Sequence, residues 1–106
     1  MLRVGYIEWE DSDEWERHMS SEKWVKLLAR EMGGMLIRLR HKRNWSQEKV
    51  AFAAQEKGYS LSRSTIQRME KGEAGSMSLE NLCFYCAALG VNPRQILPLH
   101  EPADAE

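Results

Sequence analysis

The sequence is poor in the residues that mark small disulfide-bonded or metal-binding proteins. Only two cysteines occur in 106 residues, as Cys83 and Cys86, which is too few for a disulfide framework. Their C-x-x-C spacing is half of a zinc site, but a structural zinc ion needs four ligands and no second pair lies nearby. The three histidines are isolated from one another. We therefore expect no bound metal and no cofactor.

Long apolar runs are also absent. No window approaches the roughly 18 uninterrupted apolar residues of a membrane span, and the N-terminus lacks a signal-peptide pattern. These absences predict a cytoplasmic protein without membrane association. The hydrophobic content of 42% is ordinary for a globular protein, and the length suits one domain with a modest core.

Acidic residues cluster near the N-terminus, but nothing around them resembles an enzyme site. The acids within residues 8–16 form a charged run without a pocket signature. The sequence therefore predicts a protein that is not an enzyme.

The formal net charge of −1 hides an uneven distribution. Residues 1–20 carry six acids against two arginines, a net charge of −4, and the last nine residues carry three acids. Residues 21–97 carry thirteen Lys and Arg against seven acids, a net charge of +6. A cationic body between acidic ends is compatible with phosphate binding, although an ordinary solvated surface would give a similar balance.

Residues 62–72 predict a short helix with an unusually polar surface. Ser62 can cap the free N–H groups of its first turn, and Gly72 suits the left-handed turn after a helix. Ile66 and Met69 lie three residues apart and share one face. The remaining faces carry Arg63, Ser64, Gln67 and Arg68. These side chains either read DNA bases or form the solvated side of a surface helix.

Upstream of this segment, the apolar pattern predicts two helices separated by a break. An apolar stripe begins near residue 21 and is interrupted by Gly33 and Gly34. Each glycine inside a helix costs about 1 kcal/mol relative to alanine. We therefore expect one helix over about 21–32 and a basic helix over about 33–43.

Three more helices follow from their capping residues. Serine and asparagine side chains accept hydrogen bonds from the first turn of a helix, and glycine or proline ends it. The predicted helices cover about 47–57 after Ser46, 79–89 after Ser78 and 93–97 after Asn92. A polar loop is expected over residues 73–77.

The N-terminal residues give a less regular pattern. Residues 2–9 are β-rich and could form a short strand or a loosely docked arm, followed by a short helical turn. Trp9, Trp15 and Trp24 are frequent for so short a stretch, and large aromatics tend to be buried. We expect these side chains to pack on the domain or on a second subunit.

Five segments between residues 32 and 97 form a recognisable series. They are MGGMLIRLR at 32–40, WSQEKVA at 45–51, SRSTIQRMEKG at 62–72, SLENL at 78–82 and ALGVNPRQIL at 88–97. In this order and spacing they resemble the phage-repressor (Cro-like, XRE) helix-turn-helix family. The resemblance implies an all-α, five-helix, lambda-repressor-like fold. Its third helix would enter the DNA major groove and its second would cross the backbone.

Carried over position by position, the resemblance implies a DNA-binding surface around the helix at 62–71. The base-contacting positions are Arg63, Ser64, Gln67 and Arg68. The positions that would hold the DNA backbone are Gln47, Ser62, Thr65, Lys71 and Arg43. Arginine suits guanine and glutamine suits adenine, whereas backbone contacts position the protein without specifying sequence.

The resemblance also implies structural roles. Arg40 and Glu70 match an internal ion pair that joins the first helix to the third. Cys86 matches a position for a small core residue and Cys83 an apolar position, where a buried free cysteine behaves as a small hydrophobe.

The connection before the third helix is longer than the family's tight turn. Residues 55–60 add about five residues, which fits a second helix extended by one turn. Leu61 and Ile66 keep the core spacing, so we expect the third helix to keep its place.

These observations predict three parts of the chain and one main function. The parts are an acidic, Trp-rich N-terminal extension at 1–31, a helix-turn-helix domain at 32–97 and a disordered acidic tail at 98–106. The predicted function is a small transcriptional regulator, a repressor, that binds a double-stranded DNA operator as a homodimer. A dimer is expected because one recognition helix buries too little surface for tight specific binding, and the extension would supply or reinforce its contact.

A second interpretation belongs to another class of protein. The acidic, aromatic N-terminal arm is compatible with an antitoxin-type interaction module that binds and masks a toxin. DNA binding would then serve to autoregulate its operon.

Overall fold

The computed structural model describes residues 21–96, which form helices and turns without a strand. Four α-helices follow in order: α1 Ser21–Lys42, α2 Gln47–Glu56, α3 Arg63–Glu70 and α4 Leu79–Leu89. Single 3₁₀ turns, Ala74–Ser76 and Pro93–Gln95, follow α3 and α4. The predicted all-α class is confirmed. The predicted strand at 2–9, the tail at 98–106, Trp9 and Trp15 lie outside the described residues.

The predicted serine caps are confirmed at the starts of three helices. The side-chain oxygens of Ser46, Ser62 and Ser78 accept hydrogen bonds from the backbone N–H groups three residues later, at 3.0–3.1 Å. Each such cap contributes about 1 kcal/mol to helix stability. The observed bounds of α2, α3 and α4 agree with the predicted ones to within a residue or two.

The predicted break at Gly33 and Gly34 is wrong, because α1 runs without interruption from Ser21 to Lys42. A methyl group added at Gly33 would lie 2.7 Å from the carbonyl oxygen of Met69 and 2.8 Å from that of Glu70. Gly33 therefore lets α1 approach the backbone of α3 closely, which a larger residue would prevent. The predicted domain boundary between residues 31 and 32 falls inside this helix.

The core lies between α1 and α3 on one side and α2 and α4 on the other. Helix α1 packs on α3, and α2 packs on both α3 and α4. The largest fully buried side chains come from every helix and from the last turn: Leu36, Val50, Ile66, Met69, Tyr85, Cys86 and Ile96. This shared core fixes one face of the short helix α3 and leaves the opposite face to solvent.

The ends of the described chain differ from the predicted pattern in two details. The fifth helix is a single 3₁₀ turn, Pro93–Gln95, started by the side chain of Asn92. The loop predicted over 73–77 contains the 3₁₀ turn Ala74–Ser76, which packs beside α1 and α3. Both stretches are too short for stable α-helix and close with i→i+3 bonds instead.

The lengthened connection between α2 and α3 is tied to α4. The ring of Tyr59 stacks on Phe84, with centroids 4.8 Å apart and planes 8° apart, and Lys57 Nζ donates to the carbonyl oxygen of Ala87 at 2.7 Å. Leu61 is buried at its end, as the sequence predicted. These contacts hold the start of α3 in place despite the extra residues. Of the helices in residues 21–96, none is long and apolar enough to cross a membrane.

The two adjacent glycines of α1 give a matched pair of substitutions. We expect Gly33→Ala to lower the free energy of unfolding by about 1–3 kcal/mol, because the new methyl group meets rigid backbone. We expect Gly34→Ala to raise it by about 1 kcal/mol, since no atom lies within 4 Å and alanine favours the helix. Urea unfolding followed by circular dichroism measures both, and similar effects of the two changes would contradict the proposed close approach.

Candidate nucleic-acid interface

Helix α3 separates buried and exposed side chains along its eight residues. Ile66, Met69 and Glu70 are buried, because they face α1, α2 and the core. The residues predicted to contact bases are all exposed: Arg63, Ser64, Gln67 and Arg68. Lys71, at the C-terminal cap, is exposed as well. The helix thus presents a row of hydrogen-bond donors and acceptors to solvent.

Helix α3 is fixed to the rest of the domain through the carboxylate of Glu70. Arg40 on α1 donates to both of its oxygens, with distances of 2.7 and 2.8 Å, in the predicted ion pair. Gln47 at the start of α2 donates from Nε2 at 2.9 Å. The Tyr85 hydroxyl on α4 lies 2.5 Å from the carboxylate and 3.2 Å from the carbonyl oxygen of Leu36. The bidentate geometry is the strong form of an Arg–carboxylate pair.

The surroundings of this carboxylate change three pKa values. Burial alone would raise the pKa of Glu70, but the hydrogen bonds from Arg40, Tyr85 and Gln47 outweigh it and lower the pKa below its usual value. The hydrogen bond to Glu70 raises the pKa of Arg40, and burial raises the pKa of Tyr85. Glu70 therefore carries its negative charge, and both partners keep the protons that they donate.

A chain of hydroxyl groups and one guanidinium runs along an exposed edge of α3. The Ser62 hydroxyl lies 3.0 Å from Thr65 Oγ1 and 3.1 Å from Ser64 Oγ. Arg68 donates to Thr65 Oγ1 at 3.3 Å and to Ser76 Oγ, in the turn after α3, at 3.2 Å. The guanidinium of Arg68 is thus directed by two hydroxyl groups before any ligand arrives.

Arg63 has a weaker partner. Its Nε lies 3.9 Å from Glu48 Oε2 in the first turn of α2, and the two side chains are 58% and 73% exposed. An exposed pair at this distance contributes between 0 and about 1 kcal/mol. A stronger acceptor, such as guanine or a phosphate, can therefore replace Glu48.

Two of the residues predicted to hold the DNA backbone face inward in part. Gln47 is half-buried and its amide nitrogen is bonded to Glu70, while Arg43 is half-buried and lies 3.5 Å from the carbonyl oxygen of Leu39. Ser62 and Lys71 are exposed, and Thr65 is half-buried. The contacts of all five with DNA stay predictions.

Two contributors to this site were not predicted from the sequence. The sequence predicts only that Tyr85 lies in the helix at 79–89 and that Ser76 lies in the polar loop at 73–77. The signal for Tyr85 was available, since a buried tyrosine hydroxyl needs a polar partner. The signal for Ser76 was not, because its contact with Arg68 depends on the path of the turn.

The cysteines differ in their surroundings. Cys86 is buried in the core, where burial and then the neighbouring Cys83 raise the pKa of its thiol to about 11. Cys83 is exposed, so the expectation of an apolar position is wrong: it faces away from the core on α4. Within residues 21–96, no group of three or more His, Cys, Asp or Glu side chains could hold a metal ion.

The arrangement of α2 and α3 defines a class of DNA-binding protein. A short exposed helix rich in Arg, Gln and Ser, packed on a preceding helix within an all-α domain, is a helix-turn-helix. A family model described as the Cro/C1-type HTH DNA-binding domain matches residues 35–101, more than half of the chain. The chain therefore belongs to the Cro/C1-type helix-turn-helix family, as its resemblance implied. Comparison with curated proteins and with solved structures gave no match.

The lowered pKa of Glu70 predicts a pH-dependent contribution to stability. Because the folded pKa lies below the unfolded one of about 4.3, this contribution is complete above the unfolded pKa. It is lost as pH falls through the folded pKa. We expect Glu70→Gln to lower the free energy of unfolding at pH 7 by about 3–5 kcal/mol, and the difference from wild type to shrink below about pH 4.

Urea unfolding between pH 7 and pH 3 measures this difference. Glu73→Gln is the matched control, since Glu73 is exposed just beyond α3, and we expect a change within about 0.5 kcal/mol at pH 7. A difference for Glu70→Gln that stays constant across the range would show that the charge of Glu70 is not what stabilises the domain.

Proposed function

We propose that this protein is a small transcriptional repressor that binds a specific double-stranded DNA operator as a homodimer. Family membership establishes the DNA-binding domain, and the proposal adds the reading residues, the dimer and the regulatory outcome. A domain of this size regulates most simply by occupying its operator. The DNA ligand also supports the cytoplasmic location expected from the sequence.

The observation that carries the proposal is the exposed face of α3. Arg63, Ser64, Gln67 and Arg68 project from a helix that Glu70 fixes to three other helices. A rigid row of such side chains suits the major groove, where Arg recognises guanine O6 and N7 and Gln recognises adenine N6 and N7. Lys71 and Ser62, at the two ends of α3, suit phosphates on either side of the groove.

Helix α1 supports the dimer. Its first half carries Val25, which is 52% exposed, and Leu28, which is 37% exposed. The two residues begin an apolar series with alternating steps of three and four residues, which continues with Met32, Met35 and Leu39. This is the spacing of a helix–helix seam. Met32, Met35 and Leu39 are half-buried and pack against the core, whereas Val25 and Leu28 are exposed and lie in the predicted extension. Val25 and Leu28 are therefore suited to contact a second copy of α1.

The alternative of an antitoxin-type module stays a prediction. The acidic arm that suggested a toxin partner lies within residues 1–20, outside the described part of the chain. Binding through α3 serves either interpretation, since both require an operator.

Selection of bound duplexes from a random DNA pool tests the base-reading residues. We expect the wild-type protein to select one sequence, and Arg63→Ala and Arg68→Ala each to relax the preference at different base pairs. The loss of a bidentate contact should cost about 1–3 kcal/mol of discrimination. Lys71→Ala should instead weaken all sequences alike and reduce the slope of log K against log salt concentration by about 1 for each bound subunit. Base preferences that survive both arginine substitutions would contradict the assignment of the reading face.

Sedimentation analysis tests the dimer. We expect the wild-type chain to form a dimer and Val25→Glu/Leu28→Glu to shift it to monomer, because charged side chains would then be buried at the seam. Phe52→Glu is the matched control, since Phe52 is 58% exposed on α2, and it should leave the dimer intact. The chain beginning at Ser21 should associate more weakly if residues 1–20 reinforce the contact. A wild-type monomer at micromolar concentration would rule the dimer out.

A further inference from the structure

Helix α1 carries a basic strip that the helix-turn-helix does not account for. The strip consists of Lys23, Lys26 and Arg30, all exposed, at steps of three and four residues. At about 100° per residue these side chains fall within an arc of roughly 60° on one side of the helix. No apolar residue separates them on this arc, so the strip is a continuous cationic surface.

The strip begins where α1 crosses the C-terminal end of α3. Gly72, with φ of +85°, is so close to α1 that an added methyl group would lie 2.8 Å from Arg30 Cα. Ala29, the neighbour of Arg30, is 2% exposed at this crossing. Arg30 therefore lies beside Gly72, the residue after Lys71, and Lys26 and Lys23 continue the row toward the N-terminus of α1.

Helical spacing places the strip next to the side of α1 that contacts α3, away from the core. Viewed down the axis of α1, Leu36 faces the core. Gly33 lies about 60° further around the helix and contacts α3, and Arg30 lies about 60° beyond Gly33 in the same direction. The contact with α3 thus separates the strip from the core. The reading residues of α3 are separated from the core in the same way, by Ile66 and Met69.

We propose that Lys23, Lys26 and Arg30 bind backbone phosphates of duplex DNA flanking the base pairs that α3 reads. This proposal rests on the proposed function, because it extends the same DNA surface. Lys23 and Arg30 are seven steps apart, or about 10 Å along the helix, and one DNA strand carries a phosphate about every 3.4 Å along the duplex axis. The strip therefore matches about three phosphates. Such contacts strengthen binding to every sequence alike and set the orientation of the domain on the duplex.

The acidic residues of α1 do not hold Lys26 or Arg30 firmly. Glu22 lies 3.7 Å from Lys26, but the two side chains are 79% and 72% exposed, and such a pair is easily exchanged for a phosphate. Glu31 projects about 100° away from Arg30 around the helix. The apolar residues Val25 and Leu28 lie on the other side of α1, so the strip and the proposed dimer seam do not compete for the same surface.

The salt dependence of binding to the selected operator tests the strip. We expect Lys23→Gln/Lys26→Gln/Arg30→Gln to reduce the slope of log K against log salt concentration by about 2–3 for each bound subunit, on a duplex extended at both ends. Affinity for operator and for unrelated DNA should fall by the same factor, leaving their ratio unchanged. The control is Arg38→Gln/Lys42→Gln/Arg94→Gln, which removes three exposed charges elsewhere and should leave the slope within about 1 of wild type.

Binding to a duplex trimmed to the base pairs read by α3 tests where the strip contacts DNA. On this probe the strip variant and the control should have equal slopes, because the flanking phosphates are gone. If the strip variant and the control have equal slopes on the extended duplex, the strip does not bind phosphates. If their slopes still differ on the trimmed duplex, the strip binds phosphates within the read base pairs and not beside them. If the wild-type chain selects no operator, the proposed function itself fails. Unchanged helical content and thermal midpoint of both variants establish that folding is not the cause.

Discussion

The domain depends on a single buried carboxylate. Glu70 on α3 accepts hydrogen bonds from Arg40 on α1, Gln47 on α2 and Tyr85 on α4, so each of the four helices contributes to one polar cluster. Replacing such a cluster by apolar residues is often neutral for stability, but removing one member leaves an uncompensated charge. The value of the cluster lies in its geometry. Apolar packing alone would tolerate a small rotation of α3, whereas four directed hydrogen bonds from three partners admit one orientation.

The same cluster shows what local sequence reasoning could and could not provide. The serine caps at residues 46, 62 and 78 act on their own first turns, so α2, α3 and α4 could be predicted closely. The Arg40–Glu70 pair was implied by family resemblance, since thirty residues separate its members. The hydrogen bonds from Gln47 and Tyr85 to Glu70 are evident only from the folded structure. Gly33 is the clearest failure, because its helix-breaking tendency is a local property and its role is a contact with α3.

The exposed site was predictable in composition but not in arrangement. Polarity and spacing placed Arg63, Ser64, Gln67 and Arg68 on the outer face of α3, and all four are exposed there. Which acceptors direct the arginines could not be read from the sequence. Ser76 reaches Arg68 only through the 3₁₀ turn after the helix, and Glu48 reaches Arg63 from another helix. Side-chain direction at such a surface is set by neighbours that are distant in sequence.

The brevity of α3 has a consequence for how DNA binding and folding are linked. A helix of eight residues is too short to persist by itself in water, so the proposed reading surface exists only while α3 is packed on the core and joined to the other helices through Glu70. A partly unfolded chain therefore offers no residual recognition element, and the operator binds the native state alone. By mass action, bound DNA then stabilises the entire domain, by about 2.7 kcal/mol at a hundredfold excess over the dissociation constant. The operator acts as a folding ligand as well as a target.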